Sequence, residues 1–411
     1  MDLVPDRQDC PAGTGRAVIV ILALVFWTAA AIILYAFLGY LCWLRLRALW
    51  RPWPAWHGVI TPAVSIVMVV RNEGAGLGAK LRNLMALDYP SDRCQLVVVS
   101  DGSTDGTAAI LQEAAQDPRV HVILNPIPQG KAGGLNDGVG RAEGEVVVFT
   151  DARQQIEQSA LRVLVENFAD PQVGAVSGEL MLGNPTSGEA NRGLGLYWRL
   201  EKRVRELESA TGSVVGATGA LYAVRRELVP ALPAETILDD VFIPMHVVKQ
   251  GYRVVFEPRA RAWDVADLGA EREFRRKVRT LTGNYQLLQL APWLLRRENP
   301  LRFDFISHKL IRLVVPLALL ALFLASAFLP GLFYRVGFWL QVGGYGLSLL
   351  GWSGWKLGPL SPVADAARTF VVLNAAAAMA LANFVTGQKA EWTESPSSSK
   401  PPMGKGKEMR A

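Results

Sequence analysis

The sequence predicts an α/β domain built on a doubly wound, mostly parallel sheet, accompanied by α-helical transmembrane segments. Three observations predict this class. Half of the 411 residues are hydrophobic and only 19% are charged, which is too apolar for a disordered chain or an ordinary soluble enzyme of this length. Four uncharged runs, at 17–44, 313–334, 336–355 and 369–388, are long enough for helices that cross a hydrocarbon core of about 30 Å. Between Thr61 and Pro300 the pattern changes to short β-branched runs alternating with helical stretches.

The run Ala17–Leu44 has Asp2, Asp6 and Asp9 alongside Arg7 and Arg16 before it and Arg45, Arg47 and Arg51 after it. A cleaved leader would carry positive charge before a shorter apolar stretch, so a retained anchor is expected, with the centre of the chain cytoplasmic. The approach to the second run is also basic (Arg296, Arg297, Arg302, Lys309, Arg312), and Pro330-Gly331 predicts a tight hairpin between the second and third runs. One crossing before the central domain and three after it place the C-terminus outside, although lysine and arginine outnumber acids there. Residues 1–16 and 389–411 read as tails, the second rich in Ser, Pro and Lys and expected to be disordered. A formal charge of +6 suits anionic lipid headgroups and gives no sign of nucleic acid. Cys10, Cys42 and Cys94 are too few and too scattered for a disulfide framework or a zinc site.

In the middle region, Val64–Val70, Gln95–Ser100, Val120–Leu124 and Glu145–Thr150 are near-continuous apolar runs, as parallel strands buried on both faces require. Leu77–Leu87, Thr107–Gln116 and Val241–Gln250 have helical spacing. In such sheets ligands bind beyond the C-terminal ends of the strands. The residues following the four runs are Arg71-Asn72-Glu73, Asp101 to Gly106, Gln129 to Asn136 and Asp151-Ala152-Arg153-Gln154.

Each motif has a plainer alternative. Gly74, Gly76 and Ala79 formally match the dinucleotide fingerprint, but Arg71-Asn72-Glu73 separates the first glycine from the strand. Gly130-Lys131 lacks the first glycine and the Ser or Thr of a P-loop. A loop lysine beside glycines still suits a diphosphate, or is simply solvated. Asp101, Asp105 and Asp151 are each placed to cap a helix, and Asp105 reads as a cap. Asp101 and Asp151 also face the ligand crevice. Of the adjacent acids Asp239 and Asp240, one is free of capping duty and available as a base for a substrate hydroxyl. Phe274, Val278, Leu281, Tyr285 and Leu288 form an apolar stripe beside five basic residues, predicting an amphipathic helix at 271–291 in the membrane interface. The alternative is a core helix with a solvated basic face.

The segments SIVMVVRNE, VVVSDGSTDGT, GKAGGLN, FTDAR, GATGALYAVRREL, ILDDVFIP and GYRVVFEPRA occur in the order and spacing of glycosyltransferase family 2. The chain resembles its membrane-embedded branch of cellulose, hyaluronan and poly-N-acetylglucosamine synthases from about Ala63 to Gln388. The resemblance implies a GT-A fold over 61–270 that binds a nucleotide-diphosphate sugar, expected to be a UDP-sugar, and transfers the sugar with inversion. It implies that Glu73, Asp101, Lys131, Asp151 and Arg153 bind the nucleotide sugar and that Asp240 is the general base. It further implies that Gly216, Ala217, Thr218, Gly219 and Arg279 meet the acceptor, and that Asp151 is a ligand of Mg²⁺ or Mn²⁺.

Two departures stand out. Arg153 replaces the second acid of the D-x-D pair, leaving the metal to Asp151 and the donor diphosphate, with Arg153 adding charge toward phosphate. Of the interfacial Q-x-x-R-W motif only Arg279 is kept. The expected function is therefore sugar transfer to a glycan, extending to polysaccharide synthesis, at a bacterial inner or cell membrane with the catalytic domain cytoplasmic. Transfer of one sugar to a lipid carrier or glycolipid, and a non-catalytic membrane scaffold, are the alternatives. The sugar, the linkage and the oligomeric state are not legible in the sequence.

Overall fold

The computed structural model describes residues 12–183, 195–264, 269–352 and 358–388. The expected C-terminal tail lies outside the described residues. The chain divides into two compact units. One comprises the described parts of Pro54–Asn191 and Gly212–Asp267, and the other those of Met1–Trp53, Arg192–Thr211 and Leu268–Lys389.

The first unit is built on eight strands: β1 Val64–Val70, β2 Cys94–Asp101, β3 Val120–Asn125, β4 Val146–Phe149, β5 Gln155–Ile156, β6 Val173–Leu182, β7 Tyr222–Arg225 and β8 Arg253–Asp264. Their order across the sheet is β3-β2-β1-β4-β7-β6-β8-β5. The first four pair in parallel, as their apolar runs require, and all seven residues of β1 are buried. The second half is mixed. β7 runs antiparallel to both β4 and β6, β8 is parallel to β6, and β5 closes the edge antiparallel to β8.

Five helices cover the sheet: α1 Gly74–Met85, α2 Thr107–Ala114, α3 Gly130–Arg141, α4 Ala160–Val165 and α5 Asp239–Lys249. α1 starts three residues earlier than its apolar periodicity suggests. α5 starts at Asp239, which puts both acids in its first turn, where the helix dipole favours negative charge. The glycine-rich α3 is a poor helix by propensity, and packing explains it. A Cβ at Gly134 would lie 2.7 Å from a Val69 methyl, and one at Gly138 would lie 2.5 Å from a Val67 methyl. Only glycine allows α3 to press this closely onto β1.

The second unit is helical. Three of its helices are long and apolar enough to cross a membrane: Gly15–Trp50, Arg302–Phe328 and Ser361–Thr386. The expected third run instead lies on the helix Leu332–Trp352, where Gln341, Gly343, Gly344 and Gly346 dilute the apolar character. The hairpin between Phe328 and Leu332 carries Gly331 at φ +115°, a conformation glycine accepts freely.

Helix Gly195–Thr211 falls in this unit rather than in the α/β domain. Its Val204 and Leu207 are buried in one cluster with Tyr40, Leu41 and Leu44. Helix Gly269–Leu290 packs on Ser361–Thr386, with Tyr285 stacked on Phe384 at 5.2 Å. Its buried positions include Val278, Thr282, Asn284 and Leu287. The packed surface therefore includes Val278 and Tyr285 of the apolar stripe and extends beyond it to Thr282, Asn284 and Leu287.

Candidate active site

The loops at the C-terminal ends of β1 to β4 are tied together by their own acids and hydroxyls. The N–H groups of Asn72, Glu73 and Gly74 donate in turn to Ser103 Oγ (3.1 Å), Thr107 Oγ1 (3.0 Å) and Asp105 Oδ2 (3.0 Å). Asp105 Oδ1 accepts from Thr107 N–H at 3.0 Å, so this carboxylate caps α2 while also sitting at the start of α1. Burial opposes its charge, but the bonds from Thr107 and Gly74 prevail and hold its pKa below the usual value. The dinucleotide reading fails here. A cofactor pyrophosphate would need the N–H groups that open α1, and Gly74 already gives its own to Asp105.

α3 is served in the same way. Asp101 is fully buried, and its two oxygens accept from Gln129 N–H at 2.7 Å and Gly130 N–H at 2.9 Å. It thereby fixes the loop that delivers Lys131. Both helix N-termini thus carry anions supplied by the chain itself. Negative charge on a ligand here must be met chiefly by side-chain cations.

Lys131 is the cation at the centre. Its Nζ lies 3.0 Å from Asp151 Oδ1 and 3.0 Å from Asp239 Oδ1. Burial works against the ammonium, but Asp151, Asp239 and Asp240 together hold its pKa above the ordinary value. Asp239 is buried, and its second oxygen accepts from the buried Tyr222 hydroxyl at 3.0 Å. Burial and the charges of Asp239 and Asp240 push the Tyr222 pKa far up, so it stays a neutral donor. Both oxygens of Asp239 are engaged and its side chain is buried, whereas the neighbouring Asp240 is half-buried. Gly219 N–H donates to Asp240 Oδ2 at 3.1 Å, and Ala217 N–H donates to the Asp240 carbonyl at 2.7 Å. The loop Gly216–Gly219 is therefore seated on the first turn of α5, and Thr218 N–H donates to Ser177 Oγ at 3.1 Å.

One relationship sets the geometry. A Cβ on Gly219 would lie 3.4 Å from Asp240 Oδ2 and 3.6 Å from Asp151 Oδ2. Asp151 from the loop after β4, Asp240 from α5 and Gly219 from the loop before β7 thus meet around a single point. Arg153 lies on the Asp151 loop, but its Nη2 is 2.6 Å from Oδ2 of the buried Asp264, which also accepts from Gln154 Nε2 at 3.3 Å. Glu73 is half-buried beside the Thr107 turn. Arg279 belongs to the helical unit, on Gly269–Leu290.

As a metal site the crevice is partial. Asp151 is 40% exposed and gives one oxygen to Lys131, while position 153 carries a cation. Among the described residues no group of three His, Cys, Asp or Glu side chains is placed to hold an ion. The residues fit a divalent cation only as co-ligands with oxygens from a bound molecule, since such ions take about six oxygen ligands.

The motifs did not announce Tyr222, Asp264 or two residues of α1. Asn83 exchanges 2.8 Å hydrogen bonds with the backbone of Ile156, and Lys80 reaches Thr150 and Gln154. A signal for Lys80 was present. It follows Leu77 by three and precedes Leu84 by four, which puts a lysine on the apolar face of its helix.

Residues 65–232 match the sequence model of Glycosyl transferase family 2. Beta-monoglucosyldiacylglycerol synthase of Synechocystis sp. is 29% identical over 199 residues, 47% of this chain and 42% of that protein. Poly-beta-1,6-N-acetyl-D-glucosamine synthase of Staphylococcus aureus is 24% identical over 229 residues, 55% of each. The chain thus spans about half the length of these curated relatives. Among solved structures, the mannosyltransferase PcManGT from Pyrobaculum calidifontis, in complex with GDP-Man and Mn²⁺, matches with a TM-score of 0.69 at 24% identity. That match covers 90% of this chain and 99% of the other. The fold is GT-A, and residues 65–232 form a glycosyl transferase family 2 domain.

Proposed function

We propose that the chain is a membrane-bound inverting glycosyltransferase that moves a sugar from a nucleoside-diphosphate donor, a UDP-sugar in the first instance, to a glycan hydroxyl. The observation that carries this reading is the meeting of Asp151, Asp240 and Gly219 around one point, with Lys131 joining Asp151 to Asp239. An anionic leaving group needs the cation, and an attacking hydroxyl needs the base.

Asp240 takes the proton of the acceptor hydroxyl as that oxygen attacks the anomeric carbon from the face opposite the diphosphate. A carbon–oxygen bond forms to the acceptor while the bond to the phosphate oxygen breaks, and its electron pair leaves with the nucleoside diphosphate. Gly219 N–H orients the Asp240 carboxylate, and a positioned base of this kind contributes about 10²–10⁴-fold. Lys131 meets the developing negative charge on the diphosphate, and Asp101 keeps that lysine's loop in place. A divalent ion, Mg²⁺ or Mn²⁺, held by Asp151 together with the donor's phosphates would add positive charge at the same place. Arg153 is an additional contact for phosphate only when it turns from Asp264.

A second reading, transfer of one sugar to a lipid, is favoured by the retention of Arg279 alone from the acceptor motif. It also has a namesake among the relatives, whose product is a glucosyl diacylglycerol by name, whereas the other is a polysaccharide synthase. The purified chain in detergent, offered a panel of nucleotide sugars with glycan and diacylglycerol acceptors, tests the proposal by mass spectrometry of products. Polymer, single-sugar glycolipid and hydrolysis alone are distinct readouts. Absence of hydrolysis and transfer across the panel refutes an enzymatic role.

A further inference from the structure

The floor of the site contains a charge that none of the motifs assigns. Lys80 of α1 is 5% exposed, and its Nζ donates to Thr150 Oγ1 at 3.1 Å and to the Gln154 carbonyl at 2.6 Å. These acceptors bracket Asp151-Ala152-Arg153. Thr150 Oγ1 passes the connection on, donating to the Ala220 carbonyl at 2.8 Å, one residue from the Gly219 N–H that holds Asp240. Asn83, one turn further along α1, pins Ile156 through both halves of its amide.

We propose that Lys80 is a positioning residue of the transfer reaction, a buried cross-link that fixes the Asp151 loop and joins it through Thr150 to the Gly219–Asp240 side of the site. This rests on the transferase reading above.

Packing alone does not account for a lysine here. The position lies among Leu77, Leu81 and Leu84, where an apolar side chain would bury without loss of hydration. Burial pushes the Lys80 ammonium down to about 7, against the pull of Asp151, so the fold holds this charge at a cost. What the ammonium supplies in return is geometric. A lysine ammonium has three donors, and here they point at a hydroxyl and a carbonyl on either side of one short loop. A loop bearing an exposed carboxylate that must meet a diphosphate benefits from such a support, because displacements of about 1 Å at a reacting centre cost about a hundredfold in rate.

The test uses the full chain in detergent and the variants Lys80→Met, Thr150→Val and the double variant. Binding of UDP and GDP is measured by calorimetry, and KM for the nucleotide sugar and for the acceptor are measured separately. The expected result for Lys80→Met is a loss of about ten- to a hundredfold in nucleoside-diphosphate affinity and in kcat/KM for the donor, with a smaller change in the acceptor KM. Because Lys80 acts through Thr150, the double variant should cost little more than the worse single variant. If Lys80→Met does not fold, Thr150→Val carries the same donor-side expectation by itself. Wild-type donor affinity in the folded variants, or losses that simply add, overturns the role of Lys80 while leaving the transferase reading intact. A wild-type chain that binds neither nucleotide and hydrolyses no nucleotide sugar refutes the transferase reading first.

Discussion

The guanidinium of Arg153 lies 2.6 Å from a carboxylate oxygen of Asp264, a residue at the end of β8 that is 1% exposed. The position that the D-x-D pattern gives to a second acid is thus occupied by the partner of a buried acid from the far half of the sheet. Placing an aspartate at 153 would take away the cation that meets the buried Asp264 carboxylate and put a like charge on the same loop. Arg153→Asp should therefore lower the melting temperature markedly. Adding Asp264→Asn should recover most of it, since the pair is in contact and its energies do not add. Thermal unfolding of the single and double variants in detergent checks this. Equal melting temperatures for Arg153→Asp with and without the second change would disprove the coupling.

The two acids that open α5 have separable duties. Asp240→Asn should reduce turnover by about 10²–10⁴-fold and leave nucleoside-diphosphate affinity near wild type. Asp239→Asn takes charge from the side chain that links Lys131 to Tyr222, so it should weaken donor binding and lower the melting temperature. Steady-state kinetics beside calorimetry distinguishes them. Matching losses of donor affinity in both variants would contradict the assignment of the base.

Gly219 marks the space between the acids. An added methyl would lie 3.4 Å from Asp240 Oδ2 and 3.6 Å from Asp151 Oδ2, ordinary contact distances that strain nothing. Gly219→Ala should fold with an unchanged melting temperature and lose most of its transfer activity, because the methyl stands where substrate atoms must pass. A fully active Gly219→Ala would place the reaction elsewhere.

The folded-state pKa of Lys80 lies near 7, below its ordinary value of 10.5. Between those values the unfolded chain binds one more proton than the folded chain, so stability should rise as pH increases from about 7 to about 10. Lys131 has its pKa raised, and its contribution is retained across that window. Denaturant midpoints measured along this range should rise for the wild type. They should rise less for Lys80→Met, and identical slopes would show that the buried ammonium does not titrate as described.

The long apolar helices of the second unit and strands β1, β2 and β4 were legible because each leaves a nearly unbroken apolar record, in the strands because both faces are buried. The β7 strand left a weaker one, being four residues long and antiparallel between two partners. Asp105 was legible as a cap from its place before Thr107. Its second bond to Gly74, 31 residues away, was not. The apolar stripe on Gly269–Leu290 named the helix, and two of its members, Val278 and Tyr285, are buried and stacked on Phe384 respectively, whereas the burial of Thr282, Asn284 and Leu287 beside it left no such record.

By itself the sequence determined the parallel half of the sheet, the apolar helices and the acids and lysine at the strand ends, since these follow from local periodicity and from residue chemistry. Only the tertiary structure decided which groups share charge. Lys131 faces two aspartates, Arg153 turns to Asp264, and Lys80 supports the Asp151 loop from beneath. Electrostatic and hydrogen-bond energies fall steeply with distances of a few ångströms, and those distances arise between segments that are far apart along the chain.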